Sequence, residues 1–166
     1  IDSPQVRDLE LLITDGETFC HEERRDLEWR TDLIQRDTLG YHVESCGPEG
    51  RYRVIKEIIG DPHQPCVLIH TRIQEISVSG LRIFALLEPH LGIGGAGNSA
   101  RQEEVSGLQI LLAWKAGTYL AFGSRPGFAR RSCGYAGVSS GREDIRDHHD
   151  MTWEFEKAND GNLGLT

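Results

Sequence analysis

Apolar residues in this chain recur at every second position far more often than at every third or fourth, which predicts strands. Leu9, Leu11 and Ile13 alternate with Glu10 and Leu12, and Thr14-Asp15-Gly16-Glu17 then supplies a reversal. The clearest period of two lies at 39–44, with Leu39, Tyr41 and Val43 on a face expected to be buried and Gly40, His42 and Glu44 on a wet one. The turn residues of 45–50 join it to a strand with Tyr52, Val54 and Ile58 on one side and Arg51, Arg53, Ile55 and Glu57 on the other, a hairpin. After the Gly/Pro-rich break at 60–65, Val67, Ile69, Thr71 and Ile73 alternate with Leu68, His70, Arg72 and Gln74. Leu81, Ile83, Ala85 and Leu87 then alternate with Arg82, Phe84, Leu86 and Glu88. Leu108, Ile110, Leu112 and Trp114 define a further strand that turns at Lys115-Ala116-Gly117 into its partner at 119–122. Short strand-like pieces are expected at 128–133 and 151–155, separated by an acidic loop at 139–150. The charged stretch 17–36 gives only a poor helical stripe through Leu27, Trp29, Leu33 and Ile34, and fits a solvated edge strand or a polar excursion as well.

Many strands punctuated by Gly/Pro turns, without a convincing amphipathic helix, predict an all-β antiparallel sandwich. With 166 residues the chain is long enough for one domain, 1–166, but cramped for two. A formal net charge of −8 repels a phosphate backbone and argues against nucleic acid as a partner. No apolar run approaches the roughly 18 residues that a membrane helix needs, so no membrane association is expected. The start at Ile1 and the strand-like Leu165-Thr166 end are read as those of a piece of a longer protein. Cys20, Cys46, Cys66 and Cys133 are too sparse for a disulfide scaffold and wrongly spaced for a zinc knuckle. They are read as buried or partly buried thiols, with one disulfide left open.

Four kinds of chemistry are candidates. Gly92, Gly94 and Gly97 match G-x-G-x-x-G, but a dinucleotide site places that motif between a parallel strand and a helix; here Pro89-His90 intervenes, and 99–106 offers at most two helical turns. The motif is therefore read as a long, tight loop. Cys66 and His70, four apart on a strand, would stand about 13 Å from each other, too far to share an ion. Asp144, Asp147 and Asp150, beside His148-His149, form the better metal cluster, a calcium candidate without EF-hand spacing; no other metal or cofactor is expected. No nucleophile elbow occurs, and the paired acids of an acidic surface single out no catalytic pair. Aromatic rings can stack on the C–H faces of sugars. Trp29 and Trp153, in polar surroundings, are the candidates for that role, whereas Trp114 shares the register of Leu108, Ile110 and Leu112 and is assigned to core packing.

PEGRYRVIKEIIGDP at 48–62, LLEPHLGIGGAGNSA at 86–100 and RRSCGYAGVSSGREDI at 130–145, preceded by the charged region 15–32, together resemble the N-terminal domain of bacterial glucoamylases and glucodextranases of glycoside hydrolase family 15. The resemblance covers essentially the whole chain. It implies a sandwich similar to the galactose mutarotase-like supersandwich, here lacking outer strands at both ends. It also implies a bacterial enzyme, secreted or cytoplasmic, whose (α/α)6 barrel carries two glutamates that hydrolyse α-glucosidic bonds with inversion. Nothing in 1–166 corresponds to that barrel, so no catalytic residue carries over.

The resulting expectation is a non-catalytic accessory domain, with the barrel of the same polypeptide as partner and an α-glucan as the substrate of the whole. The loop 88–98 is expected to pack on the barrel near its active-site mouth, with Glu88, His90, Gly94, Gly95 and Asn98 at the contact, because glycines permit close backbone approach. An independent carbohydrate-binding module using exposed aromatics is the alternative. A mutarotase-like enzyme is a third reading, for which His42, His70 and His90 assemble no acid–base constellation.

Overall fold

The computed structural model describes residues 4–166. In chain order its elements are β1 (Val6–Thr14), β2 (Cys20–Glu22), α1 (Glu23–Asp26), β3 (Glu28–Leu33), β4 (Gly40–Cys46), β5 (Tyr52–Gly60), β6 (Val67–Glu75), β7 (Arg82–Pro89), β8 (Asn98–Val105), β9 (Leu108–Lys115), β10 (Thr118–Gly123), β11 (Cys133–Tyr135), α2 (Gly141–His148), β12 (Lys157–Gly161) and β13 (Leu163–Leu165). The chain divides into two compact units. One joins the residues up to Cys20 with Arg82–Thr166; the other is His21–Leu81.

The first unit is an antiparallel sandwich. Its five-stranded sheet runs β11-β13-β7-β1-β2, with only Cys20 of β2 in this unit, and its four-stranded sheet β10-β9-β8-β12. Between the sheets, Leu87, Leu163, Leu165 and Cys133 meet Ala100, Leu111, Ala113 and Ala158, with Leu9 and Phe122 packed at the margin. Fully burying each large side chain of this set contributes about 1.5–3 kcal/mol. The other face of β1 and β7 is covered as well: Leu12 and Leu86 pack with Ile145 and Met151. Being covered on both sides, the second half of β1 reads as a continuous apolar run after Glu10.

The cover is α2, where the sequence predicts an acidic loop. Its signal is local. Ser140 accepts a hydrogen bond from the amide of Arg142, and the Glu143 side chain reaches back to the Ser140 amide, a capping box written as Ser-Gly-Arg-Glu. With only eight residues and Ile145 its one apolar side chain, the helix has too little stripe to stand out by periodicity. His149 ends it in a left-handed conformation, its amide donating to the carbonyl of Ile145. Two further expectations are corrected nearby. The strands expected at 128–133 and 151–155 begin instead at Cys133 and Lys157, because Phe128 packs its ring on Phe122 and Met151 fills the core beneath α2 from irregular backbone. The stretch 99–106, which offers at most two helical turns, holds no helix: Asn98–Val105 is strand β8, paired along its length with β9.

The second unit is one antiparallel sheet, β3-β4-β5-β6, with the charged stretch as its edge strand β3. Its buried end centres on Tyr52, Val54 and Ser45. The Tyr52 ring lies over Gly47, where a Cβ would stand 2.5 Å from it, and its hydroxyl is 2.8 Å from His21 Nδ1. The buried Glu23 carboxylate accepts from Ser45 Oγ at 3.2 Å and from Lys56 Nζ at 2.7 Å. The opposite end is open. Leu39 is 80 % exposed and Tyr41 39 %, so the face predicted to be buried is not. Period-two alternation reveals that a face is apolar, while ladder hydrogen bonds cover only strand edges; what lies over the face is a separate matter.

Candidate functional site

The loop between β7 and β8 carries the chain from one sheet of the sandwich to the other, and it is held by the chain's own groups. Gly92 and Gly97 take positive φ (65° and 76°), as a reversal this tight requires. Asn98 is fully buried: its Oδ1 accepts from the amide of Leu91 at 3.1 Å and its Nδ2 donates to the carbonyls of Gly94 and Gly95 at 2.8 and 2.6 Å. Lys115 Nζ donates to the carbonyl of Ala96 at 2.8 Å, and Gln5 receives the amide of Gly92 on its side chain and that of His90 on its carbonyl. A Cβ on Gly95 would stand 2.3 Å from Asn162 Oδ1 and 2.9 Å from His90 Nε2, so glycine is required there by close approach. The carbonyl of Asn162 in turn accepts from Ala136 at 2.9 Å, and the Tyr135 ring lies on Gly161. Three segments (90–98, 135–139 and 159–162) thus share one end of the sandwich. The glycines lead into strand β8 and not into a helix, so there is no helix N-terminus to receive a pyrophosphate.

The predicted contact residues sort differently within this frame. Glu88 is buried beneath α2: Arg142 Nη2 lies 3.3 Å from its Oε1 and also pairs with the buried Glu10, while Arg7 Nη1 stands 3.0 Å from Glu88 Oε2. Glu88 and Asn98 are therefore engaged inward, the first bracing the helix and the second shaping the loop. His90 Nε2 is buried and has no hydrogen-bond partner among the described residues. The residue that faces outward is Ile93, which alternation and motif leave unmarked. It is 70 % exposed and holds a positive φ of 62°, a conformation that a β-branched residue adopts only under constraint. Val138 and Tyr135 are exposed at the same end. An isolated isoleucine in a run of glycines is the signal that could have found it.

The three aspartates are not gathered as ligands. Asp144 is fully buried and its carboxylate is saturated: it accepts from the amides of Thr152 and Trp153, both at 2.6 Å, from the Thr152 hydroxyl and from His148 Nδ1 at 2.9 Å. Burial opposes its charge, but those bonds outweigh it and hold the carboxyl below its usual range. Asp147 pairs with Arg146, and Asp150 with Arg82 and Arg130. Among the described residues no group of three His, Cys, Asp or Glu is placed to hold a metal, so this set does not fit calcium. Trp153 packs edge-on to His148 and against Phe155, whereas Trp29 stands 63 % exposed on β3. Among the described residues the four cysteines form no disulfide; Cys66 is exposed, and burial pushes the Cys133 thiol up to about 12 despite the nearby Arg131. His42 and His70 lie in the second unit and His90 in the first. Among the described residues no helix is long and apolar enough to cross a membrane.

These features define an antiparallel β-sandwich domain whose glycine motif is a sheet-to-sheet crossover and not a nucleotide cradle. A family model described as glucodextranase, domain N, matches residues 1–166. A glucoamylase of Clostridium sp. (strain G0005) is 25% identical over 165 residues, covering 98% of this chain and 23% of that protein. The crystal structure of a bacterial glucoamylase complexed with acarbose superposes with a TM-score of 0.94 at 23% identity, over 97% of this chain and 24% of that one. The chain belongs to the glucodextranase domain N family, as the resemblance of its three quoted segments implies. It spans about a quarter of the length of these relatives.

Proposed function

We propose that the chain is a non-catalytic accessory domain of a larger enzyme that hydrolyses α-glucosidic bonds in glucans, and that it packs on and supports the (α/α)6 catalytic barrel of the same polypeptide. The family and the relatives named glucoamylase, of which it spans about a quarter, support that parentage. The observation that carries the supporting role is the crossover loop. It is fixed by Asn98 and Lys115, yet presents Ile93 to solvent in a strained conformation, an arrangement that serves no internal packing. A rigid loop with an apolar tip binds a neighbouring surface without the ordering penalty of a mobile one.

Ile93→Gly in the full-length enzyme tests this. Glycine relieves the left-handed conformation by about 1 kcal/mol, so a loop with internal roles alone would be neutral or stabilised. The proposal predicts the reverse: faster thermal inactivation of the full-length enzyme and lower glucan hydrolysis. Unchanged or improved heat resistance would remove the interface role. Asn98→Ala does not discriminate, because it releases the loop's own amide and carbonyls whatever lies beyond them.

A further inference from the structure

Trp114 is expected in the core by its spacing from Leu108, Ile110 and Leu112, but the core of the sandwich takes the other parity of β9. Leu111 and Ala113 are the fully buried members of the inter-sheet cluster, which turns Leu108, Ile110, Leu112 and Trp114 to the outer face of the four-stranded sheet. Pairing then assembles that face. Tyr119 on β10 stands directly opposite Trp114, Ser99 on β8 flanks Trp114 on the other side, Arg101 pairs with Leu112, and Lys157 on β12 pairs with Arg101. Tyr119 is 67 % exposed and Trp114 is half-buried. The Arg101 guanidinium lies 5.6 Å from the Trp114 ring centre and binds the Glu103 carboxylate through Nε at 2.7 Å and Nη2 at 2.6 Å.

We propose that this outer face is a surface-binding site for an α-glucan chain, with the rings of Trp114 and Tyr119 as its stacking platform and the Arg101–Glu103 pair as its hydroxyl partner. The identity of the sugar rests on the parentage proposed above; the type of ligand rests on the face itself. Adjacent rings from paired strands offer flat apolar area to the C–H face of a pyranose. The guanidinium beside them presents N–H donors and the carboxylate presents acceptors, and their opposite charges suit a neutral polyhydroxyl ligand over a charged one. Towards the Leu108 end of the same strand, an open groove is lined by Ser106, Leu108, Arg125 and Pro126. From Leu108 to Trp114 the strand runs about 20 Å, which suits an extended chain over a single sugar. A protein interface would place its apolar residues at an open centre. Here Ile110 at the centre is already buried, and exposure is concentrated in the aromatic and charged groups around it.

The test is native affinity electrophoresis of the full-length enzyme in gels containing soluble starch or, in a second series, dextran. Trp114→Ala and Tyr119→Ala are each compared with wild type, and the thermal midpoint of each variant is measured alongside. The proposal predicts retardation about tenfold weaker for either variant in one of the two gels. Tyr119, exposed on an edge strand, is the variant least able to disturb folding, so its result stands if Trp114→Ala misfolds. Absence of wild-type retardation, or equal retardation of wild type and Tyr119→Ala in both gels, overturns the site. A lowered thermal midpoint with unchanged retardation overturns it too, and makes the face a protein contact. Hydrolysis of starch and dextran by the wild type is scored separately: its absence defeats the parentage, whereas hydrolysis with unaltered retardation defeats this site alone.

Discussion

Asp144 illustrates how one buried carboxylate can look like a metal ligand in sequence and be a structural hub in space. Two amides, a hydroxyl and an imidazole nitrogen converge on it, tying the end of α2 to the turn at 152–153. The acidic, histidine-bearing cluster is legible in the sequence; its partners are not, because backbone amides of a later turn leave no mark in composition. Asp144→Asn places an NH2 where acceptors are needed, and unfolding in urea should show a loss of about 2–3 kcal/mol at neutral pH. Because the folded carboxyl titrates below its unfolded value, its contribution is present above about pH 3.9 and is lost as pH falls through the lower folded value. The stability gap between wild type and Asp144→Asn should therefore narrow in acid. A gap independent of pH would contradict this account. At Gly95 the determinant is space. Gly95→Ala should lower stability by about 1–3 kcal/mol through overlap with Asn162, and unaltered urea unfolding would show that the loop yields freely.

Among the elements, the strands are legible from alternation and helix α2 is not, for reasons that differ. Alternation is a property of the strand itself, so β4, β5, β6, β7, β9 and β10 all appear near their predicted places. The eight-residue α2 carries its signal in the capping box, a short pattern overshadowed by the acidic residues around it. Ser140→Ala removes that cap and should destabilise the sandwich by about 1 kcal/mol, read as a lower thermal midpoint; no change would mean that packing of Ile145 alone fixes the helix. Alternation also fails to say which side of a strand faces which neighbour. It assigns Trp114 to the core on a face that turns outward, and Leu39 and Tyr41 to a buried face that is open. The glycine loop is legible as a loop, whereas its tip, Ile93, is marked in the sequence only by standing alone among glycines, and its strain is evident from the backbone conformation.

At the scale of the whole molecule, the antiparallel sandwich and the family are both legible in three long segments whose order and spacing agree with a single family across 1–166. The division of the chain into two units is not, because each unit uses the same period-two pattern and the boundary at Cys20 and Leu81 interrupts no composition. Membership of a family whose glucoamylase relative is about four times as long supports the proposed role, that of serving a catalytic part of a longer polypeptide. Glucose release from soluble starch and dextran, measured side by side for the full-length polypeptide and for residues 1–166 alone, tests that claim most directly. The account predicts release by the full-length polypeptide and none by residues 1–166; release by residues 1–166 alone, or by neither, would contradict it.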